Sequence, residues 1–249
     1  MGPEDLQGHW HRAWFKAPGV CDHETAVHWM QAGRIYADIR IPSGRPDVRG
    51  ARALSDLSDA ALLRLLTAEG FAGTITVEDD ICTWAREINW HGTPETVDRG
   101  HMAFEGAGRL IETGVDADYA ELWHRRADKR ARAMHLTAET RHAYLVTIGK
   151  SFVFGVATPG VAASASMIAS LQAGQRSRAL HEHFANVFAF GRWLGGRAMV
   201  DLCTNPLIEG QAILTCRAQD DLVWHAVDFL GRSRDVPLTD RTRAQHDAA

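Results

Sequence analysis

Two stretches of the sequence decide the fold, and they share one layout. Residues 26–42 read AVHWMQAGRIYADIRIP, and residues 143–159 read AYLVTIGKSFVFGVATP. Each has two runs rich in β-branched and aromatic residues around a turn, Gly33-Arg34 in the first and Gly149-Lys150 in the second. Such a pattern is typical of a β-hairpin, and both hairpins end at a proline.

The order of the segments that follow is the same in both halves. A predicted helix comes after each hairpin, and then a strand pair, which begins FAGTITV at Phe71 and FANVFAF at Phe184. Repetition of hairpin, helix and strand pair favours a duplicated unit. We therefore expect two units with the same strand connectivity.

Apolar residues recur with a period of two through most of the chain, which predicts antiparallel strands. Two helices interrupt the pattern, one near residues 56–68 with Ser55 as its N-cap, and one near 161–173 with Gly174 after its end. The predicted strands cover residues 8–15, 25–31, 34–41, 72–78, 81–90, 97–104, 108–113, 117–125, 133–138, 141–148, 151–157, 183–190, 197–203, 211–217 and 222–229.

Seven or eight strands in each unit is the number that closes a sheet into a small barrel without exposed edges. The expected fold class is therefore all-β, with two tandem antiparallel β-barrels that each carry one short helix. The first barrel is expected to span residues 1–128 and the second residues 129–232. Residues 233–249 are polar and lack an apolar period, so a flexible tail is expected there.

Several motifs support a resemblance to known barrel proteins. Gly8-His9-Trp10 resembles the Gly-x-Trp signature that opens lipocalin-like (calycin) barrels. The longer runs HWMQAGRIYADIRIP, WAREINWHG and YAELWHR, which begin at His28, Trp84 and Tyr119, resemble bacterial relatives of the HRI1 family. The resemblance covers most of residues 6–230 and implies a pair of lipocalin-like barrels. It implies no activity.

Composition excludes several classes of function. The chain is 45% hydrophobic and 23% charged, which is ordinary for a soluble globular protein. Its net charge of −4 would repel a phosphate backbone, so no nucleic-acid partner is expected. No apolar run is long enough for a membrane span. The cysteines form no CxxC pair and no secretory signal is visible near Met1, so we expect a cytoplasmic protein with reduced thiols.

Polar residues interleave with indoles on several predicted strands, and an indole is costly to expose to water. We therefore expect the polar neighbours of these indoles to face a barrel lumen. For each charged residue, the alternative is a solvent-exposed ion pair on the outer wall. In the strand near 34–41, Tyr36, Asp38 and Arg40 share one face, and the opposite face is apolar and ordinarily the core side. The expected catalytic residues are Glu121, Glu87, Arg86 and Tyr119. The expected substrate-binding residues are Arg40, Trp84, Asn89, Trp123, Trp29 and Gln31.

Each chemical role follows from the residue type. Burial of a Glu disfavours its charged form and an Arg neighbour restores it, so Glu121 or Glu87 could exchange a proton near neutral pH. Arg86 and Arg40 would hold an anionic group or a developing oxyanion. The matching strands near 197–203 and 222–229 are mainly aliphatic, so we expect the working pocket in the first barrel and a packed core in the second.

No metal or other cofactor is expected. His9-x-His11 and His181-x-His183 each place two imidazoles on one face of a predicted strand, but no carboxylate completes either pair as a known motif. HExxH, GxSxG, Walker and GxGxxG motifs are absent from the sequence.

The sequence thus predicts a cytoplasmic barrel protein that binds a small organic molecule, anionic or aromatic. We favour a metal-independent acid–base enzyme of lyase, isomerase or hydrolase type. The alternative is a non-catalytic ligand carrier or a protein-interaction scaffold. The expected partner is the small-molecule ligand, with no membrane and no nucleic acid, and with a homodimer as an option.

Overall fold

The computed structural model describes residues 1–126, 128, 130–217 and 221–241. Within these residues the chain forms two closed antiparallel β-barrels, so the expected all-β fold class is confirmed. The strands of the first barrel are β1 (Gly8–Ala17), β2 (Val20–Asp22), β3 (Ala26–Ala32), β4 (Ile35–Ile41), β5 (Glu69–Glu78), β6 (Ile81–Asn89), β7 (Asp98–Phe104), β8 (Arg109–Gly114) and β9 (Ala120–Arg126).

The second barrel has the same up-and-down order. Its strands are β10 (Ala131–Ala138), β11 (Arg141–Ile148), β12 (Ser151–Ala157), β13 (Val187–Leu194), β14 (Arg197–Cys203), β15 (Ala212–Cys216), β16 (Leu222–Val227) and β17 (Ser233–Asp240). Pairing of β1 with β9 closes the first barrel, and pairing of β10 with β17 closes the second. The short β2 extends the sheet beside the far end of β1.

Helices occupy the same place in both units, between β4 and β5 in the first barrel and between β12 and β13 in the second. In the first unit this is α1 (Asp59–Leu65), and in the second it is α2 (Ala165–Gln172) followed by α3 (Arg178–His183). The Ser58 hydroxyl caps α1, so this helix starts later than the sequence predicts from Ser55. The shared order of strands and helices confirms the expected duplication.

Two landmarks align the halves residue by residue. The hairpin glycines Gly33 and Gly149 have φ angles of 58° and 62°, which the turn requires and glycine adopts without strain. A β-bulge opposite Gly73 in the first barrel recurs opposite Gly191 in the second. There the partner strand lies so close that an added Cβ would meet a carbonyl oxygen of the partner strand at 2.0 Å and 1.9 Å, respectively.

Two sequence predictions about elements are wrong. The strand expected at 183–190 starts only at Val187, because Ser177 caps α3 and residues 178–183 are helical. The tail expected to be flexible from Ser233 forms β17, which pairs with β16 and β10 and extends the second barrel beyond residue 232. Only Val236 and Leu238 of β17 are buried, and two apolar residues among polar ones are too few to predict a strand from the sequence. Residues 242–249 of the expected tail lie outside the described residues.

The two quoted hairpins pack against each other with their outer faces. Met30 and Ile39 of the first hairpin share one buried cluster with Val146 and Val153 of the second. Each hairpin therefore has two buried faces, one toward its own lumen and one toward the other barrel. Phe188 fills the junction between the barrels and lies directly against Gly70 and Gly155. A Cβ on Gly70 would lie 2.3 Å from the Phe188 side chain and one on Gly155 would lie 2.5 Å from it, so glycine is needed at both positions.

One end of the first barrel is closed by its N-terminal turn. Leu6 is fully buried there, and its carbonyl accepts a hydrogen bond of 2.7 Å from the Trp10 indole. The Arg125 guanidinium covers the Trp10 ring at 4.9 Å and donates to the Asp5 carbonyl. The other end, where α1 is inserted, holds the polar residues described below.

The helices of the described residues are too short or too polar to cross a membrane.

The bulge glycines give a direct test of this architecture. We expect Gly73→Ala and Gly191→Ala each to lower the free energy of unfolding by about 2 kcal/mol, because the added Cβ overlaps the partner strand. Gly108→Ala is the control, since its Cβ would meet nothing nearer than 3.9 Å. Urea denaturation of the three variants measures the effect. Equal stability of Gly73→Ala and Gly108→Ala would contradict the close approach.

Candidate functional site

The lumen of the first barrel carries charged residues at positions where the second barrel is apolar. On β4, Asp38 and Arg40 face the lumen, and the turn landmark aligns them with Phe154 and Val156, which lie in the apolar core of the second barrel. The bulge landmark aligns Arg86 with Val200 in the same way. The polar face of β4 thus points into the barrel, and the apolar face that the sequence assigns to the core packs on the second barrel.

A chain of ion pairs runs across this lumen. Asp38 accepts from Arg40 at 3.1 Å, and Arg40 lies 3.5 Å from Glu121. Glu121 also accepts from Arg12 at 2.6 Å, and Arg12 reaches Asp22 near the surface at 2.7 Å. Asp38 and Glu121 are 2% and 1% exposed, so these charges are almost removed from water. Each of these charges needs a partner of opposite sign, because burial of an isolated charge would cost several kcal/mol of stability.

A second ion pair lies nearer the open end. Arg86 donates to Asp98 at 2.6 Å, and its guanidinium covers the Phe71 ring at 3.6 Å. The side chains of Arg86 and Asp98 are about a fifth exposed. This pair therefore forms part of the boundary between the lumen and solvent.

Glu112 on β8 is the one carboxylate of the cluster without a guanidinium partner among the described residues. Its oxygens instead accept from the Tyr119 hydroxyl at 2.8 Å and from the Trp123 indole at 3.1 Å. Burial, together with the negative charges of Glu121 and Asp98, raises the pKa of Glu112 to about 8. Burial also raises the pKa of Asp38 to about 6, against the opposing charge of Arg40.

Charge balance explains the high pKa of Glu112. Arg12, Arg40 and Arg86 neutralise three carboxylates of the lumen, namely Glu121, Asp38 and Asp98. A fourth negative charge would be uncompensated in a medium of low dielectric constant. At neutral pH the lumen is therefore balanced when Glu112 keeps its proton.

Little free volume is left beside these groups. A cavity of about 10 Å³, room for about one water molecule, lies among the side chains of Trp29, Asp38, Arg40, Phe71, Trp84, Asp98, Glu112 and Trp123. Several buried polar atoms of the first barrel have no hydrogen-bond partner among the described residues, and Trp29 Nε1, the Tyr36 hydroxyl and Glu121 Oε2 are among them. These atoms leave hydrogen-bonding capacity for a molecule that enters the lumen.

The structure brings most of the predicted site residues together. In or around the first lumen lie Arg40, Arg86, Tyr119, Glu121, Trp29, Trp84 and Trp123. Gln31 is buried but donates to the Pro3 and Gly33 carbonyls, so it supports the turns at the closed end.

Two predicted residues of β6 lie outside the lumen. The bulge shifts the alternation after Arg86, so Ile88 and Trp90 turn toward the second barrel. Glu87 accepts a hydrogen bond of 2.5 Å from the Tyr144 hydroxyl of the second barrel, and its candidacy as the lumen acid is wrong for this reason. Asn89 ends β6, where its side-chain oxygen accepts a hydrogen bond from the His91 backbone N–H.

Sequence reasoning missed Arg12, Asp98 and Glu112. Glu112 had a usable signal, because it stands two residues from the fully buried Leu110 and so shares the inward register of β8. The expectation that Arg86 and Arg40 hold an anionic group also needs correction. Both guanidiniums are already paired with carboxylates of the barrel itself, so neither is free to bind an anion.

Free volume is distributed differently from the expectation. The second barrel does have an apolar interior, but a cavity of about 230 Å³ opens at one end of it, beside Met134, Leu145 and Trp193. The second barrel is therefore not fully packed. Its cavity lacks the ionised network that distinguishes the first lumen.

One group of residues has donors suited to a metal ion, and it is neither of the histidine pairs in the sequence. Potential ligand atoms of Glu87, His135 and His142 lie within 4.8 Å of one another between the barrels. The Arg241 guanidinium lies 3.5 Å from His135 Nε2 and 3.2 Å from His142 Nε2, and its charge opposes a cation there. We therefore propose no metal-binding function for Glu87, His135 and His142.

The histidine pairs have other surroundings. His9 is buried at the junction, where its Nε2 lies 3.0 Å from His28 Nδ1. His181 and His183 lie on α3 rather than on a strand, so the common face expected for them is wrong.

Comparison with known proteins places the fold. No protein-family model and no curated protein matches the chain. The crystal structure of the uncharacterized protein YLR301w from Saccharomyces cerevisiae is similar, with a TM-score of 0.55 and 11% sequence identity. The two chains share a fold. The match covers 94% of this chain and 97% of the yeast chain, so it includes both barrels.

The raised pKa of Glu112 predicts a pH dependence of stability. Between about pH 5 and pH 8 the folded state holds a proton that the unfolded state has released, so rising pH destabilises the fold. Relative to Glu112→Gln, the parent should lose about 1.4 kcal/mol per pH unit in this window and no more above it. Urea denaturation across the window measures this difference. Glu78→Gln, a substitution of an exposed residue, is the control and should keep the pH dependence of the parent, because it retains Glu112.

The second prediction concerns Glu121, whose charge should stabilise the fold. Glu121→Gln keeps the volume but removes the charge shared by Arg12 and Arg40, so it should cost about 3 kcal/mol of stability at neutral pH. Asp201→Asn in the second barrel is the matched control, because Asp201 pairs with Arg192 at the surface. Thermal and urea denaturation of both variants test this, and equal stabilities would contradict a buried ionic role for Glu121.

Proposed function

We propose that the protein binds a small organic molecule at the polar end of the first barrel and donates a proton to it from Glu112. The observation that carries the proposal is the contrast between the two barrels. The second barrel closes around an apolar core, so the shared fold does not require buried charges. The first barrel holds them in spite of the desolvation that they cost, which is expected of a functional site rather than of a structural one.

Glu112 has the properties of a general acid. It is protonated at neutral pH, and it lies beside a tyrosine hydroxyl that is partly exposed. In the proposed step the Tyr119 hydroxyl turns so that the Glu112 O–H donates to its oxygen while its own O–H donates to the ligand. The proton then moves along this pair and leaves Glu112 as a carboxylate in the field of Arg40. Burial and Glu112 raise the pKa of Tyr119 far above its usual range, so its hydroxyl relays a proton without ionising.

The surroundings favour a neutral or cationic ligand with an aromatic part. The cavity wall includes Asp38, Asp98 and Glu112, and Arg40 and Arg86 pair with the first two, so the charge around the cavity is negative once Glu112 gives up its proton. Trp84 and Trp123 offer ring faces for stacking. Because the cavity of about 10 Å³ is too small for an organic molecule, the ligand must displace the Arg86–Asp98 pair from the open end.

We also propose that the two units are lipocalin-like barrels of the HRI1 type. The closed end of the first barrel supports this, since Trp10 of the Gly-x-Trp motif packs there under Arg125 and over Leu6. The similarity to the yeast chain over both barrels supports it as well.

A non-catalytic carrier is the second candidate. The unpartnered Trp29 Nε1 and Tyr36 hydroxyl favour it, because both can form hydrogen bonds with a ligand without changing it chemically. The two candidates differ in one outcome. A carrier would bind the same ligand without changing it, whereas an acid–base enzyme would convert it.

Thermal shift with three probes of matched size tests the proposal. Arg141→Gln serves as the background, because it lacks the guanidinium at the cavity between the barrels. In this background we expect indole and benzylamine to stabilise the protein and benzoate not to, because the guanidiniums of the first lumen are already paired. Asp98→Asn, which loosens the closing pair, should increase the shift with the neutral indole. Asp201→Asn should leave it unchanged. Stabilisation by benzoate alone would overturn the proposed ligand class, and no effect of Asp98→Asn would overturn the proposed opening.

Native mass spectrometry of copurified ligand, followed by turnover assays, separates the two candidates. Glu112→Gln should still bind the ligand but lose at least about 100-fold in turnover, the lower end of the range for loss of a general acid. Binding by the parent with no conversion would instead identify a carrier.

A further inference from the structure

A further cavity lies between the barrels, away from the first lumen and from the cavity of the second barrel. It has a volume of about 470 Å³, in the range of small-molecule sites. The segment after β6 forms one wall, and the helical insertion of the second barrel forms the other. Backbone hydrogen bonds tie the walls together, from Thr93 to the Val161 carbonyl at 2.9 Å and from Ser164 to the His91 carbonyl at 3.0 Å.

Two buried nitrogen atoms at this cavity have no partner among the described residues. The Trp90 side chain is 1% exposed and His183 is 9% exposed, and both line the cavity. Trp90 Nε1 and His183 Nε2 make no hydrogen bond there. An indole N–H can only donate, so Trp90 leaves a buried donor that requires an acceptor.

Two side-chain amides of the wall are also free to donate. Asn89 and Asn186 each use the side-chain oxygen to accept from a backbone N–H, at 3.2 and 3.3 Å, which leaves both amide nitrogens to donate. His91 is fully engaged, because Nε2 donates to the Ala68 carbonyl and Nδ1 accepts from Ser164. Its tautomer is thereby fixed.

Arg141 adds a positive charge that the described residues do not neutralise. Its Nε is buried without a hydrogen-bond partner, and the nearby Glu139 is already bound to Arg234. Burial and the charge of Arg234 lower the pKa of Arg141, which is the mark of a cation in need of an anion. The one carboxylate at this cavity, Glu182, is exposed and paired with Arg178.

We infer that this cavity binds a small organic anion whose carboxylate lies against Arg141 and the Trp90 indole. The anion supplies the acceptors that Trp90, Arg141, Asn89 and Asn186 lack. Val161 and Met167 offer apolar surface for the body of the ligand. The site is separate from the proposed proton-donating site, and its ligand has the opposite charge.

Titration of ¹⁵N-labelled tryptophan side chains with benzoate tests the inference. Trp90→Phe identifies the Trp90 signal among those of the eight tryptophans. We expect benzoate to move this signal saturably. The uncharged benzamide should move it with at least about tenfold weaker affinity, and benzylamine should not move it. Equal effects of the three probes would overturn the inference.

Variants show whether the anion lies against Arg141. Arg141→Gln should weaken benzoate binding at least about tenfold, whereas Arg178→Gln, an equal charge change on α3, should leave it unchanged. Ser166→Phe, an exposed position at the cavity, should block it and decides the matter if Arg141→Gln does not fold. Unchanged binding in Ser166→Phe, or shifts of Trp84 and Trp123 in place of Trp90, would place the anion elsewhere.

Discussion

The structure depends on two hairpins that are buried on both faces. β3–β4 and β11–β12 pack their outer faces on each other, so each hairpin must present apolar residues away from its own lumen. In the second hairpin the lumen face is apolar as well. In the first, the lumen face carries Asp38 and Arg40. Contact between the barrels therefore supplies the apolar burial that the first lumen gives up, which allows that lumen to be charged.

Charge balance then sets the chemistry of the first lumen. Each buried guanidinium stabilises a carboxylate, and each pair limits the movement of the side chains around it. Glu112 remains outside this pairing and keeps a proton that the other carboxylates do not need. Its neighbours Tyr119 and Trp123 hold it in place without neutralising it. Glu112 is thus a proton donor because the guanidiniums of the lumen are paired with the other carboxylates.

The sequence predicted what depends on local pattern. The turn at Gly33, the matching turn at Gly149 and the alternation along β4 all follow from neighbouring residues, and the duplicated barrels follow from these. It failed where a distant contact decides. A bulge against β5 turns Glu87 toward Tyr144, and the partner β16 orders the polar strand β17. The roles of Glu112 and Arg12 depend on strands that meet only when the barrel closes.

The proton on Glu112 is the central claim, and infrared spectroscopy tests it most directly. A protonated carboxylic acid has a C=O stretch that a carboxylate lacks. Our account predicts this band at neutral pH, its loss as the pH rises through about 8, and its absence from Glu112→Gln. A neutral-pH spectrum without the band, or a band that persists in Glu112→Gln, would contradict the account.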